Sequence, residues 1–96
     1  MIIIWCFFIL FTIIIYSENS VGLLNRVSNI FTRRCINIES VNAGRSGVEG
    51  VHKLAITTWV DRPTIERVAS QIEKIVEVIK VYIYSDAEII ANSKEN

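Results

Sequence analysis

The spacing of apolar residues changes repeatedly along this chain, and that change limits the possible folds more than any other feature. Four segments have the alternation or the β-branched and aromatic content of strands, and two have the period of about 3.6 residues of an amphipathic helix. In chain order these are a strand over residues 11–17, a helix over 22–34, strands over 36–43 and 51–60, a helix that follows Asp61, and a strand over 78–84. The order βαββαβ predicts an α+β fold of the ferredoxin-like type, with a four-stranded antiparallel sheet and two helices on one face.

Each predicted helix has one apolar face that would cover the sheet. In the first helix the inward residues are expected to be Leu23, Leu24, Val27, Ile30 and Phe31. Asp61 is a good N-cap for the second helix, and Pro63 falls in its first turn, where a missing N–H group costs nothing. The inward residues of the second helix are expected to be Ile65, Val68, Ala69, Ile72 and Ile75.

The composition predicts an apolar surface that needs a partner. Of the 96 residues 51% are apolar, and the mean hydropathy is +0.39. A domain of this size buries only about 60–65% of the surface of its unfolded chain, so the surplus favours a subunit interface or a membrane contact. The predicted sheet leaves two edges uncovered, and such edges favour pairing with a second copy of the chain.

Nucleic acid is not expected as a partner. The formal net charge is zero, whereas sequence-independent binding to nucleic acid relies on a basic face. RNA-recognition modules share the order βαββαβ, but they stack bases on aromatic residues of the central strands. The third strand lacks aromatic residues over 51–57.

The two ends of the chain differ from the rest in composition. Residues 1–10 are an apolar extension, 11–84 are the predicted domain and 85–96 are a polar tail. The apolar run from Met1 to Tyr16 is marginally short for a spanning helix, which needs about 17–25 apolar residues, so a membrane anchor is not the preferred interpretation. A start codon assigned upstream of the true one would also explain the extension. Cys6 and Cys35 form no CxxC motif and are expected to be reduced thiols of a cytoplasmic protein.

The loop before the first helix has the residues needed to hold a small amino acid. Gly22 has no Cβ, so a ligand can approach the backbone closely, and the N–H groups of the following helix start favour an anion such as a carboxylate. Asn19 and Asn37 can each donate and accept hydrogen bonds, as a zwitterionic ligand requires. An ordinary turn and helix cap would have the same residues, so the pattern alone leaves both interpretations open.

The wider pattern around these residues resembles one regulatory family. The motif is Glu18-Asn19-x-x-Gly22-x-Leu24-x-Arg26, followed by Phe31-x-Arg33-Arg34-x-Ile36-Asn37-Ile38-Glu39-Ser40. Two later runs, residues 71–74 and 78–81, fit at the expected spacing. Together these segments are similar to the ACT domain of the small subunit of acetolactate synthase (acetohydroxyacid synthase), and the likeness extends from about Phe11 to Tyr84.

The resemblance implies a noncatalytic regulatory subunit. Such subunits form a homodimer through their ACT domains and bind valine, or a related branched-chain amino acid, between the protomers. They stimulate a separate catalytic subunit, which carries thiamine diphosphate, Mg²⁺ and FAD, and they make it sensitive to feedback inhibition. No cofactor is expected in this chain. Carried over by position, the effector-binding residues are Asn19, Gly22 and Leu23 of one protomer with Asn37 and Ile38 of its partner, Leu23 and Ile38 contacting the aliphatic side chain.

Other functions are less well supported by the residues. Many members of the resembled family carry a second, C-terminal domain. The closest alternative function is an ACT domain that senses an amino acid for another enzyme, with or without a membrane tether. A small enzyme would need a nucleophile and a base, and no such pair is recognisable. His52 is the only histidine and has no evident metal-ligating neighbour in the sequence.

Overall fold

The computed structural model describes residues 9–18 and 22–85, and it has the predicted order of elements. The elements are β1 (Ile9–Glu18), α1 (Leu23–Arg33), β2 (Ile38–Arg45), β3 (Val51–Val60), α2 (Arg62–Glu73) and β4 (Val78–Ser85). The strands form one sheet in the order β2-β3-β1-β4, and every neighbouring pair is antiparallel. The predicted four-stranded antiparallel βαββαβ fold is therefore confirmed.

Strand ends differ from the sequence-based prediction by a few residues. Ile9 and Leu10, expected in the N-terminal extension, belong to β1 and pair with Val60 and Trp59. Ser85, expected in the tail, is the last residue of β4 and is buried.

The second strand starts at Ile38 rather than at residue 36, because of the way in which α1 ends. Cys35 has a left-handed φ of 58°, which turns the chain out of the helix. The N–H group of Ile36 then donates back to the carbonyl oxygen of Phe31 at 2.9 Å, a common way of terminating a helix. Residues 36 and 37 therefore form the connection between α1 and β2.

The core lies between the helices and the two central strands. Ile13 of β1 is paired with Ile56 of the neighbouring strand β3. The buried apolar cluster comprises Phe11, Ile13, Ile15, Leu23, Val27, Phe31, Leu54, Ile56, Val60, Ile65, Val68 and Ile72. Burying a side chain of this kind typically contributes about 1.5–3 kcal/mol, so this cluster is the main source of stability.

Two of the predicted inward residues are placed differently. Leu24 is 45% exposed. Leu23, Val27 and Phe31 are the buried residues of α1, and Leu24, which is rotated from Leu23 by about 100° around the helix axis, lies on the solvent side of that face. Ile75 lies beyond the end of α2, although it still packs partly buried against the core.

The start of α2 agrees with the predicted N-cap. One carboxylate oxygen of Asp61 accepts a hydrogen bond from the Thr64 backbone N–H at 3.2 Å, and the other accepts from the Thr64 hydroxyl at 2.7 Å. The hydroxyl bond is the main reason why the pKa of Asp61 lies below its ordinary value. Pro63 occupies the first turn as expected. This cap fixes where the chain leaves β3 and turns over the sheet.

The two outer strands are β2 and β4, and β2 is the less covered. Ile38 is half-buried, while all later residues of β2 are exposed, including Val41 at 42%. Among the residues that the structure describes, no strand pairs with the outer edge of β2, and the exposed apolar side chain of Val41 lies on this strand. Such an edge favours pairing with another chain. Within the described ranges, no helix is long and apolar enough to cross a membrane.

Candidate functional site

The loop between β1 and α1 ends in a glycine with a backbone conformation that favours glycine. Gly22 is the N-cap of α1, with φ 89° and ψ −4°. Its carbonyl oxygen accepts the first helical hydrogen bond from the Arg26 N–H at 3.0 Å. No side chain among the described residues caps the helix. The N–H groups of the first turn therefore favour the binding of an anion at this end of the helix. Asn19, the other predicted residue of this loop, lies outside the described residues.

The side chain of Leu23, which was expected to contact an aliphatic ligand, is buried. It is only 6% exposed and belongs to the core. In this protomer it is therefore packed against its own core and is not available to contact an aliphatic ligand. The group that Leu23 can offer to a ligand is its backbone N–H, which is among the N–H groups of the first helical turn.

Asn37 and Ile38 lie where β2 begins. The side chain of Asn37 is exposed, and its backbone carbonyl oxygen accepts a hydrogen bond from the hydroxyl of Thr58. Thr58 is fully buried at a core-facing position of β3 and is paired with Ile38. A buried hydroxyl needs a partner, so this bond fixes the backbone of Asn37 at the end of the sheet. Sequence analysis did not identify Thr58; the only signal was a polar residue between Ile56 and Val60.

A surface groove of about 540 Å³ opens beside Asn37. Its lining combines charged, polar and apolar groups: Arg34, Cys35, Ile36, Asn37, Glu39, Trp59, Val60, Asp61 and Thr64. Gly22 and Leu23 do not line it. The groove therefore belongs to the Asn37 half of the predicted site alone.

One protomer does not bring the two halves of the predicted site together. Gly22 precedes α1 and Asn37 follows it, so the whole helix of 11 residues separates them. A helix of that length is about 16 Å long, which is far more than the span of one amino acid. A single ligand that touches both halves would need Gly22 from one copy and Asn37 from another.

The described residues group no three His, Cys, Asp or Glu side chains in a way that could hold a metal ion. Cys35 is exposed, and His52 lies on β3 opposite Ser17 and Arg45.

The open βαββαβ sheet, with its first helix starting at Gly22, is compatible with an ACT domain, but other classes of protein share this order of elements. The fold is shared with the ACT domain of GTP pyrophosphokinase from Chlorobium tepidum at a TM-score of 0.67, with 18% identity and coverage of 82% of this chain and 89% of that one. A family model described as the AHAS (acetohydroxyacid synthase) small subunit-like ACT domain matches residues 13–80. The chain belongs to this family of acetolactate synthase small subunit ACT domains.

Individual relatives agree with this assignment. The solved structure of the acetolactate synthase small subunit from Thermotoga maritima is similar at a TM-score of 0.69 and 35% identity, covering 77% of this chain and 46% of that one. A probable acetolactate synthase small subunit of Methanothermobacter thermautotrophicus is 38% identical over 64 residues, which are 67% of this chain and 38% of that protein. The Bacillus subtilis small subunit is 32% identical over 73 residues, 75% of this chain and 42% of that protein. This chain thus spans less than half the length of these relatives.

Proposed function

We propose that this chain is a noncatalytic, cytoplasmic regulatory subunit of acetolactate synthase, which binds valine or a related branched-chain amino acid between two copies of itself. The observation that carries the proposal is the position of the two half-sites. A glycine-capped helix start and an asparagine at a strand start lie at opposite ends of α1, in a chain of the acetolactate synthase small subunit family.

The edge of β2 is the surface through which the two copies would pair. Pairing two β2 strands in antiparallel orientation about a twofold axis extends the sheet and keeps all the helices on one face. The same axis exchanges the two ends of the sheet, so the Gly22 loop of one protomer would approach Asn37 of the other. Val41 and Leu24, both exposed in the protomer, support this choice of edge because the pairing would give them apolar neighbours.

The chemistry of the two half-sites matches an amino acid. N–H groups at the start of α1 would bind the carboxylate, and the asparagine carbonyl oxygens of Asn19 and Asn37 would accept hydrogen bonds from the ammonium group. Ile38 would contact the aliphatic side chain. Leu23 would take part through its backbone N–H group, since its side chain is committed to the core.

Regulation then follows from differential affinity. A ligand shifts an equilibrium only when it binds one arrangement of the protomer pair more tightly than another, and such coupling typically amounts to about 1–3 kcal/mol. The catalytic (large) subunit, with its thiamine diphosphate, Mg²⁺ and FAD, would respond to the arrangement of the pair. This chain would supply no group to the reaction itself.

The first prediction concerns acetolactate formation by the cognate catalytic subunit, measured with and without this chain across a valine titration. We expect stimulation in the absence of valine and its progressive reversal as valine is added. Leucine and isoleucine titrations, run in parallel, would identify the preferred effector. If both proteins are folded and the chain neither stimulates nor responds to valine, the proposed partnership is wrong, and the chain is a degenerate subunit or an amino-acid sensor for another enzyme.

A further inference from the structure

One residue outside the predicted site, Glu77, contacts both flanks of the loop that leads into α1. Its backbone carbonyl oxygen accepts a hydrogen bond from the N–H group of Glu18 at 2.9 Å. Its carboxylate oxygen Oε2 lies 2.9 Å from Nη2 of Arg26. Glu18 is the last residue of β1, and Arg26 is in the first turns of α1. Glu77 thus bridges the two ends of the segment that contains Asn19 and Gly22.

The contact to Arg26 bears on the helix start itself. The backbone N–H of Arg26 makes the first helical hydrogen bond, to the carbonyl oxygen of Gly22. Holding the Arg26 side chain against Glu77 therefore restrains the turn whose free N–H groups face the proposed ligand. The direction of those N–H groups decides how well they receive a carboxylate.

The ion pair is a weak candidate for a purely stabilising contact. The side chain of Arg26 is 48% exposed and that of Glu77 is 30% exposed. Ion pairs at such partly exposed positions contribute little to global stability, although Oε1 of Glu77 is itself buried. Arg62 and Glu66 form a comparable exposed pair on α2, at 3.7 Å and away from the loop. The two pairs differ in position relative to the proposed effector site, and the Arg62–Glu66 pair is also longer and more exposed.

We propose that Glu77 is a positioning residue for effector binding: by holding Arg26 and the end of β1, it orients the helix start that receives the effector's carboxylate. The inference rests on the proposed function and adds a residue that touches no ligand. It predicts that the Glu77 carboxylate affects effector affinity through Arg26 rather than through the stability of the fold.

The test is Glu77→Gln in the full chain, assayed with the catalytic subunit across a valine titration. Glutamine keeps the shape and removes the charge, so we expect the half-inhibitory valine concentration to rise by about tenfold with little change in melting temperature. Glu66→Gln, which breaks the comparable pair on α2, is the matched control and should leave the titration unchanged.

A double-mutant cycle separates positioning from a local structural effect. Arg26→Gln should raise the half-inhibitory concentration as Glu77→Gln does, and the double variant should be no worse than either single one. Exchange of the two charges, Arg26→Glu with Glu77→Arg, should recover part of the lost valine affinity. If Glu77→Gln does not fold, this charge-exchanged variant tests the inference in its place. A valine response of Glu77→Gln equal to or tighter than that of the natural chain would overturn the inference alone. A natural chain without any valine response would overturn the proposed function.

Discussion

Replacing Gly22 with aspartate is expected to abolish inhibition by valine. The substitution places a carboxylate at the helix start where the ligand's own carboxylate would bind. Like charges brought together in a binding site cost several kcal/mol, so affinity should fall by about a hundredfold or more. The measurement is the valine titration of acetolactate formation, with calorimetric binding of valine to the chain alone as a second readout.

The matched control is Gly22→Asn, which has nearly the same size and no charge. Gly22 has φ 89°, and any residue with a side chain is strained there, although a Cβ at this position would meet no atom within 4 Å. Asn adopts left-handed backbone more readily than most residues, so the strain is about 1 kcal/mol for Asn and comparable for Asp. We expect Gly22→Asn to keep a measurable valine response. Equal responses from the two variants would show that the ligand's carboxylate does not bind at this helix start.

Val41→Lys is expected to separate the protomers and to remove the valine response with them. Val41 lies on the outer strand β2, is 42% exposed, and would be covered in the proposed dimer. In a twofold interface each substitution occurs twice, so two lysines would enter one apolar contact. We expect the dissociation constant of the dimer to rise by about a hundredfold or more, as measured by sedimentation or light scattering.

The other outer strand supplies the control. Ile79 of β4 is 54% exposed, so Ile79→Lys makes the same chemical change at the opposite edge of the sheet. We expect Ile79→Lys to remain dimeric and sensitive to valine. A dimer lost with Ile79→Lys and retained with Val41→Lys would move the interface to β4. The half-sites could then no longer meet in the proposed way.

The sequence was sufficient to predict the order of the elements, because apolar periodicity and caps such as Asp61 are local signals. The sequence was insufficient to predict which of two adjacent apolar residues would be buried. Leu23 and Leu24 are equally apolar, and only the packed helix decides that the first is buried and the second exposed. The start of β2 is set by the left-handed backbone conformation of Cys35, and a cysteine at this position does not indicate such a conformation.

The candidate site was predictable as two groups of residues but not as a geometry. Gly22 and Asn37 have recognisable roles at a helix start and a strand start, yet their separation by the length of α1 follows only from the fold. Thr58 and Glu77 act through contacts between residues distant in the sequence, and no local pattern marks such contacts. The effector-binding roles of Asn19, Gly22, Leu23, Asn37 and Ile38 all remain predictions.

The measurement that tests the shared site most directly is valine binding to a mixture of two inactive variants. Gly22→Asp and Asn37→Ala are each expected to remove both sites of a homodimer. When the variants are mixed and allowed to exchange protomers, a mixed dimer regains one site, built from the unaltered Gly22 of one chain and the unaltered Asn37 of the other. Random exchange should therefore restore about a quarter of the natural binding capacity. No recovery in a mixture whose exchange has been verified would contradict an effector site built from two protomers.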